Sequence, residues 1–264
     1  MWVAAIGEAS ERPLGYLGGL AVLVWKSLRA LFLSPLKGKR MVQRAVHQAM
    51  AVGVGAIPIV SLITFFVGVI IALQGAYELQ RLGALQLVAS VVAISITREL
   101  GPLVAAIVVI GRSGSAFAAE IGTMRVTEEL DALETMALDP VAFLVAPKFL
   151  AMAVMMPCLT IWSDFMGVLG GALFGVIGGG FTFGGYLIAT SDALLMRDLT
   201  SGCIKSLVFG MVITAVGCHE GFATGAGAEE VGRSTTSAVV ISLLLIVLID
   251  LVFTILFYVA RGVG

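Results

Sequence analysis

From Met50 to Leu73 the chain runs 24 residues without a charged side chain. At ~1.5 Å per residue a helix of that length is about 36 Å long, more than the hydrocarbon core of a bilayer. The run therefore predicts a membrane span, with Pro58 expected to kink it. Four further apolar segments follow, at about 85–110, 149–183, 201–218 and 235–260. The chain is 59% hydrophobic and 12% charged, about half the charge fraction of a soluble domain. The predicted fold is all-α: a polytopic membrane protein of about five transmembrane helices, forming one domain over residues 1–264.

Pro13 to Leu33 is also apolar, but Lys26 and Arg29 interrupt it. That pattern predicts a helix lying in the membrane interface over about 13–33, a short first span being the alternative. A basic cluster follows (Lys37, Lys39, Arg40, Arg44), and Tyr77, Glu78 and Arg81 are expected in a short loop after the first span. Five spans put the termini on opposite sides. With the N-terminus inside, eleven Lys and Arg fall on the cytoplasmic side against three (Arg81, Arg197, Arg261) on the other. The positive-inside rule then makes the N-terminus cytoplasmic. The acidic start (Glu8, Glu11) lacks the basic region of a cleaved leader.

Between the second and third spans lies an acidic amphipathic segment, predicted as a helix over about 126–137. Thr127 reads as its N-cap, with Glu128 and Glu129 in the first turn, where carboxylates suit the helix dipole. Leu130, Leu133 and Met136 recur at helical spacing, Asp131 and Glu134 add charge, and Asp139-Pro140 is expected to end the helix. Basic residues, not acidic ones, serve membrane orientation, so this helix is either a solvated surface or a docking knob for a soluble partner.

Gly167, Gly171, Gly175 and Gly179 recur every fourth residue in the third span, and Gly114, Ala118 and Gly122 do so in the second. Small residues at this interval allow close helix contact in lipid, within the chain or across a dimer seam. Arg98, Glu99, Asp164, Lys205 and Asp250 lie inside apolar segments, where charge is costly and faces a bundle interior or a wet cavity. Lys205 could pair with Glu99 or Asp250, either as helix-to-helix pairing alone or as part of a substrate site.

Other functions find little support. Net charge is −1, which implies no nucleic-acid partner. The three cysteines have no metal-ligand spacing, and Walker A, HExxH and GxSxG patterns do not occur. Cys218-His219-Glu220 points three ways on a helix and predicts no catalysis. An ion-coupled secondary transporter and an intramembrane acid pair at Glu99 and Asp250 remain as alternatives. The two halves show no repeat, however, and no catalytic motif frames either acid.

Arg98–Pro102 (RELGP), Gly111–Leu133 (GRSGSAFAAEIGTMRVTEELDAL) and the closure at Glu134–Pro140 resemble the MlaE/YrbE family of ABC-transporter permeases, over about residues 13–260. The resemblance implies a homodimer in the inner membrane of Gram-negative bacteria. It implies assembly with a cytoplasmic ATPase pair, STAS-domain subunits and a periplasmic ring of MCE-domain proteins. ATP and Mg would be held by the ATPase, with no cofactor in this chain. Such a complex moves phospholipid between inner and outer membranes and maintains outer-membrane lipid asymmetry. Val126–Ala137 would be the coupling helix, and Glu99, Lys205 and Asp250 would lie by the lipid cavity. A phospholipid cavity needs a broad apolar wall with few polar groups. Phe65, Phe66, Leu244, Leu248 and Leu251 are expected to supply it, with Lys205 attracting a phosphate and Glu99 and Asp250 holding Lys205.

Overall fold

The computed structural model describes residues 15–16, 18–30, 39–178 and 180–262. Gly179, Lys37 and the two ends of the predicted 13–33 helix lie outside the described residues. Eight helices are seen among those described: α1 (18–30), α2 (Lys39–Arg81), α3 (Leu85–Val126), α4 (Glu129–Thr135), α5 (Val141–Ile177), α6 (Phe183–Ala193), α7 (Met196–Phe222) and α8 (Ala228–Gly262). Five of them, α2, α3, α5, α7 and α8, are long and apolar enough to cross a membrane. The fold is polytopic and helical, as expected, but every span is longer than its uncharged core.

The extensions correct several expectations. Tyr77, Glu78 and Arg81 belong to the last turns of α2 and not to a loop. There the Arg81 guanidinium lies over the Tyr77 ring one turn back. α2 carries Pro58 in its interior. Residues 111–126 continue α3 past the expected end near 110, and α3 contains two wide π-turns, Ile96–Leu100 and Ile110–Gly114. The third span stops at Ile177, not Phe183. Beyond it, Gly180 takes φ +70°, and the Thr182 hydroxyl accepts from Gly185 N–H to start α6, a helix absent from the sequence expectations.

α4 differs at both ends. The Thr127 hydroxyl bonds back to the Thr123 carbonyl, so it closes α3 instead of capping α4. Glu128 sits at the junction with φ 59°, leaving Glu129 and Asp131 in the first turn. At the other end, Leu138 N–H bonds Leu133 O and Ala137 N–H bonds Glu134 O, with Ala137 at φ 57°. This Schellman closure ends α4 before Asp139 is reached. The Asp139 carboxylate instead accepts from Val141 N–H, and Asp139-Pro140 opens α5.

Close packing rests on glycine. A Cβ on Gly68 would come 1.9 Å from the Gly167 carbonyl, and one on Gly170 would come 2.0 Å from the Phe65 carbonyl, so α2 and α5 touch backbone to backbone. The Gly167, Gly171 and Gly175 file faces inward within the chain, against Ile96 and Val92 of α3 and the buried Tyr186 of α6. Gly114 and Gly122 face Ile213 and Thr224, residues at α7 and its end. Much of α7 is buried, and its Gly202, Gly217 and Gly221 in turn lie against α3 carbonyls. α8 is the most open span, with Leu244, Leu248 and Leu251 outward.

Candidate functional site

The first π-turn of α3 carries Arg98 and Glu99 and turns both toward α7 and α8. Such turns widen the helix by one residue and are often found at functional sites. Lys205 of α7 extends into this region with its side chain 1% exposed. Its ammonium lies 2.5 Å from Glu99 Oε2, 3.0 Å from Asp250 Oδ1 and 3.1 Å from Thr254 Oγ1. Two of its three protons go to Glu99 and Thr254, and Asp250 stands beside it as an ion pair without a hydrogen bond. Thr254 Oγ1 also stands 3.2 Å from both Glu99 oxygens and 2.8 Å from the Asp250 carbonyl, so its single proton goes to one of these while it accepts from Lys205.

A second ion pair flanks the first. Arg98 Nε donates to Asp198 Oδ1 at 2.7 Å, and Asp198 is fully buried at the start of α7, where its other oxygen accepts from Leu195 N–H. The two pairs sit on a cavity of about 170 Å³ lined by Arg98, Glu99, Ser201, Lys205, Thr254, Phe257 and Tyr258. That is roughly the volume of five or six waters, room for a headgroup fragment but not for acyl chains. The side chain of Glu99 is 38% exposed and that of Arg98 29%, so one anion and one cation face the opening side by side.

Of the sequence candidates, Arg98, Glu99, Lys205 and Asp250 are brought together. Asp164 is not with them: it is buried on α5 with an oxygen against the Cα of Gly101, just past the π-turn. Phe65, Phe66 and Leu244 do not line this cavity either; Phe66 and Leu244 point outward, and the aromatic wall comes from Phe257 and Tyr258. On α4, Leu130 and Leu133 are buried in the core while Glu128, Glu129, Asp131 and Glu134 are exposed, with Asp131 3.3 Å from Arg125. Asp198, Ser201 and Thr254 escaped the sequence reading. Thr254 follows Asp250 by four residues and Asp198 precedes Lys205 by seven, spacings that share a helix face. His219 and Glu220 hold α1, with the Tyr16 hydroxyl donating to Glu220 at 2.7 Å and the Tyr16 ring edge-on to His219.

The chain matches the family described as Permease MlaE over residues 45–256. It is 38% identical over 254 residues to a probable ABC transporter permease protein of Rickettsia conorii, covering 96% of each chain. It is 35% identical over 210 residues to the intermembrane phospholipid transport system permease protein MlaE of Haemophilus influenzae, covering 79% of this chain and 80% of that one. It is also 36% identical over 245 residues to the chloroplastic protein TRIGALACTOSYLDIACYLGLYCEROL 1 of Arabidopsis thaliana, covering 90% of this chain and 70% of that one. A match spanning all five membrane helices and the charged network between them is more than a likeness of composition: the chain belongs to the MlaE permease family of ABC transporters.

Proposed function

We propose that this chain is the membrane subunit of a transporter moving phospholipid between the inner and outer membranes of a Gram-negative envelope, so sustaining outer-membrane lipid asymmetry. It lies in the inner membrane with its N-terminus in the cytoplasm and works as a homodimer with a STAS-domain subunit and a periplasmic MCE-domain ring. A separate ABC ATPase binds ATP and Mg and pushes on α4, whose leucines anchor it while its carboxylates face out. The observation that carries the reading is the cavity at the π-turn, which offers one exposed cation beside one exposed anion within a membrane span.

The division of labour differs from the simplest one. Lys205 is buried between two carboxylates and the Thr254 hydroxyl, so it acts as the brace of the network. Arg98, anchored from behind by Asp198, meets the phosphate, and Glu99 meets a headgroup amine where there is one. Acyl chains then run outside the cavity along apolar helix faces. The test is ATP-dependent lipid transfer between vesicles containing the reconstituted complex, with and without a proton gradient. Transfer should need ATP and Arg98 and should survive collapse of the gradient. Transfer that follows the gradient would instead make Glu99 and Asp250 a proton path.

A further inference from the structure

A second polar recess lies between α2 and α3, on the same side of the bundle as α4. It is a cleft of about 520 Å³ containing His47, Gln48, Arg112 and Glu120, and it shares His47, Gln48 and Glu120 with a smaller recess reaching Arg44 and Lys148. Its ionic content is unbalanced. Lys148 is 1% exposed and lies 2.6 Å from Glu120 Oε2, so these two cancel. Arg112 donates to the Ala51 carbonyl at 3.1 Å, and its guanidinium fills the space a side chain at Gly55 would need. Arg44 stacks 3.7 Å above the Phe143 ring. Both arginines are held in place, yet among the described residues neither has a carboxylate within 4.0 Å.

Depth indicates what balances them. Arg112 meets α2 at the first turns of the uncharged Met50–Leu73 run, and Arg44 and His47 lie just before it. That is the headgroup level, where basic recesses between spanning helices collect anionic lipid. Val46, Met50 and Val54 form an exposed apolar ridge on the adjoining face of α2, a surface for an acyl chain that a soluble anion would not use. Since Lys148 already occupies Glu120, the cleft offers no spare carboxylate to a headgroup amine. We propose that this cleft binds the phosphate of an anionic phospholipid from the leaflet on the α4 side. It is separate from the Arg98 cavity, which lies fourteen residues along α3, about 21 Å away.

The experiment is native mass spectrometry of the full chain purified in detergent with its copurifying subunits. Phosphatidylglycerol, phosphatidylcholine and inorganic phosphate are titrated separately. Phosphatidylglycerol should bind at least about tenfold more tightly than phosphatidylcholine. Arg112→Gln and the mouth variant Arg44→Gln should each weaken it about tenfold, the scale of one charge-assisted hydrogen bond. Gly55→Ala, which displaces Arg112 without changing charge, should weaken it similarly, while Arg98→Gln should leave this binding in place. Equal retention of the two lipids, or full phosphatidylglycerol binding in both Arg44→Gln and Gly55→Ala, would overturn the assignment. Displacement of phosphatidylglycerol by equimolar inorganic phosphate would make the ligand a soluble anion and overturn the lipid site.

Discussion

The Lys205 network makes a quantitative demand. With both carboxylates present, a 1%-exposed ammonium is balanced twice over, by Glu99 at 2.5 Å and Asp250 at 3.0 Å. Glu99→Gln leaves Asp250 and Thr254 in place, and a Gln oxygen can still accept, so the loss should be about 1 kcal/mol. Asp250→Asn should cost about the same, because Glu99 then carries the balance. The double variant leaves Lys205 buried without a counter-charge in the network. Breaking a buried pair in this way costs about 3–5 kcal/mol, so the double should exceed the sum of the singles by at least about 1 kcal/mol. Lys205→Met alone leaves two carboxylates facing one another and should be severe. Combining it with Glu99→Gln and Asp250→Asn removes every uncompensated charge and should restore stability. The assay is unfolding of the purified chain in mixed micelles by SDS titration, in a double-mutant cycle. Independent sites add to within about 0.5 kcal/mol, so a double variant that matches the sum of its singles would refute the network. Lipid transfer by the neutral triple variant supplies the functional arm, and it should stay low although the protein is stable.

Replacing Glu128, Glu129 and Glu134 by Lys reverses the exposed face of α4 without touching buried Leu130 and Leu133. Insertion should be normal and ATPase copurification lost; retained copurification would leave α4 as mere surface. Gly171→Leu or Gly175→Leu puts a Cβ about 2.5–2.7 Å from Tyr186, so the α5–α6 contact should open and gel filtration should show a broader or aggregated species than the unsubstituted chain gives. Wild-type profiles in both would mean that Tyr186 has room to leave. Ala137→Gly relieves a left-handed L-residue and should stabilise the chain by about 1 kcal/mol, seen as a higher unfolding midpoint.

The five spans were legible because long uncharged runs have few other destinations than a bilayer. Their ends were not, because charged residues such as Arg81, Arg112 and Glu120 remain helical beyond the uncharged runs. Of the eleven residues of α6 only Phe183 fell within the expected third span and the rest were given no element, although Thr182 carried an N-cap signal. Glu99, Lys205 and Asp250 were legible as a group because charge inside an apolar helix must find a partner. The cavity wall was not. Outward-facing Phe66 and Leu244 and cavity-facing Phe257 are equally apolar, and on a membrane helix hydrophobicity carries no sign of which way is in.

The π-turn at Ile96–Leu100 shows why the charged network could not be placed from helical spacing alone. Buried residues on α3 come in adjacent pairs at 88/89, 92/93, 96/97, 101/102, 105/106, 109/110, 113/114, 117/118 and 121/122. Pairs every four residues drift about 40° per turn on an ordinary helix of 3.6 residues per turn. Between 96/97 and 101/102 the interval is five, and there Gly101 N–H bonds the Ile96 carbonyl across the π-turn. The extra residue sets Arg98 and Glu99 at the point where the helix is widest. Deleting Leu100 restores the interval of four and an ordinary turn, so Val88–Ala93 and Gly101–Val109 keep their facing while the wide turn that carries Arg98 and Glu99 is lost. Glu99 must then leave Lys205. The expected outcome is a lower unfolding midpoint together with loss of the Glu99–Asp250 coupling measured in the double-mutant cycle, whereas deleting Gly83 from the α2–α3 connection should spare that coupling. A Leu100 deletion that keeps both the midpoint and the coupling would show that the π-turn does not set Glu99 against Lys205.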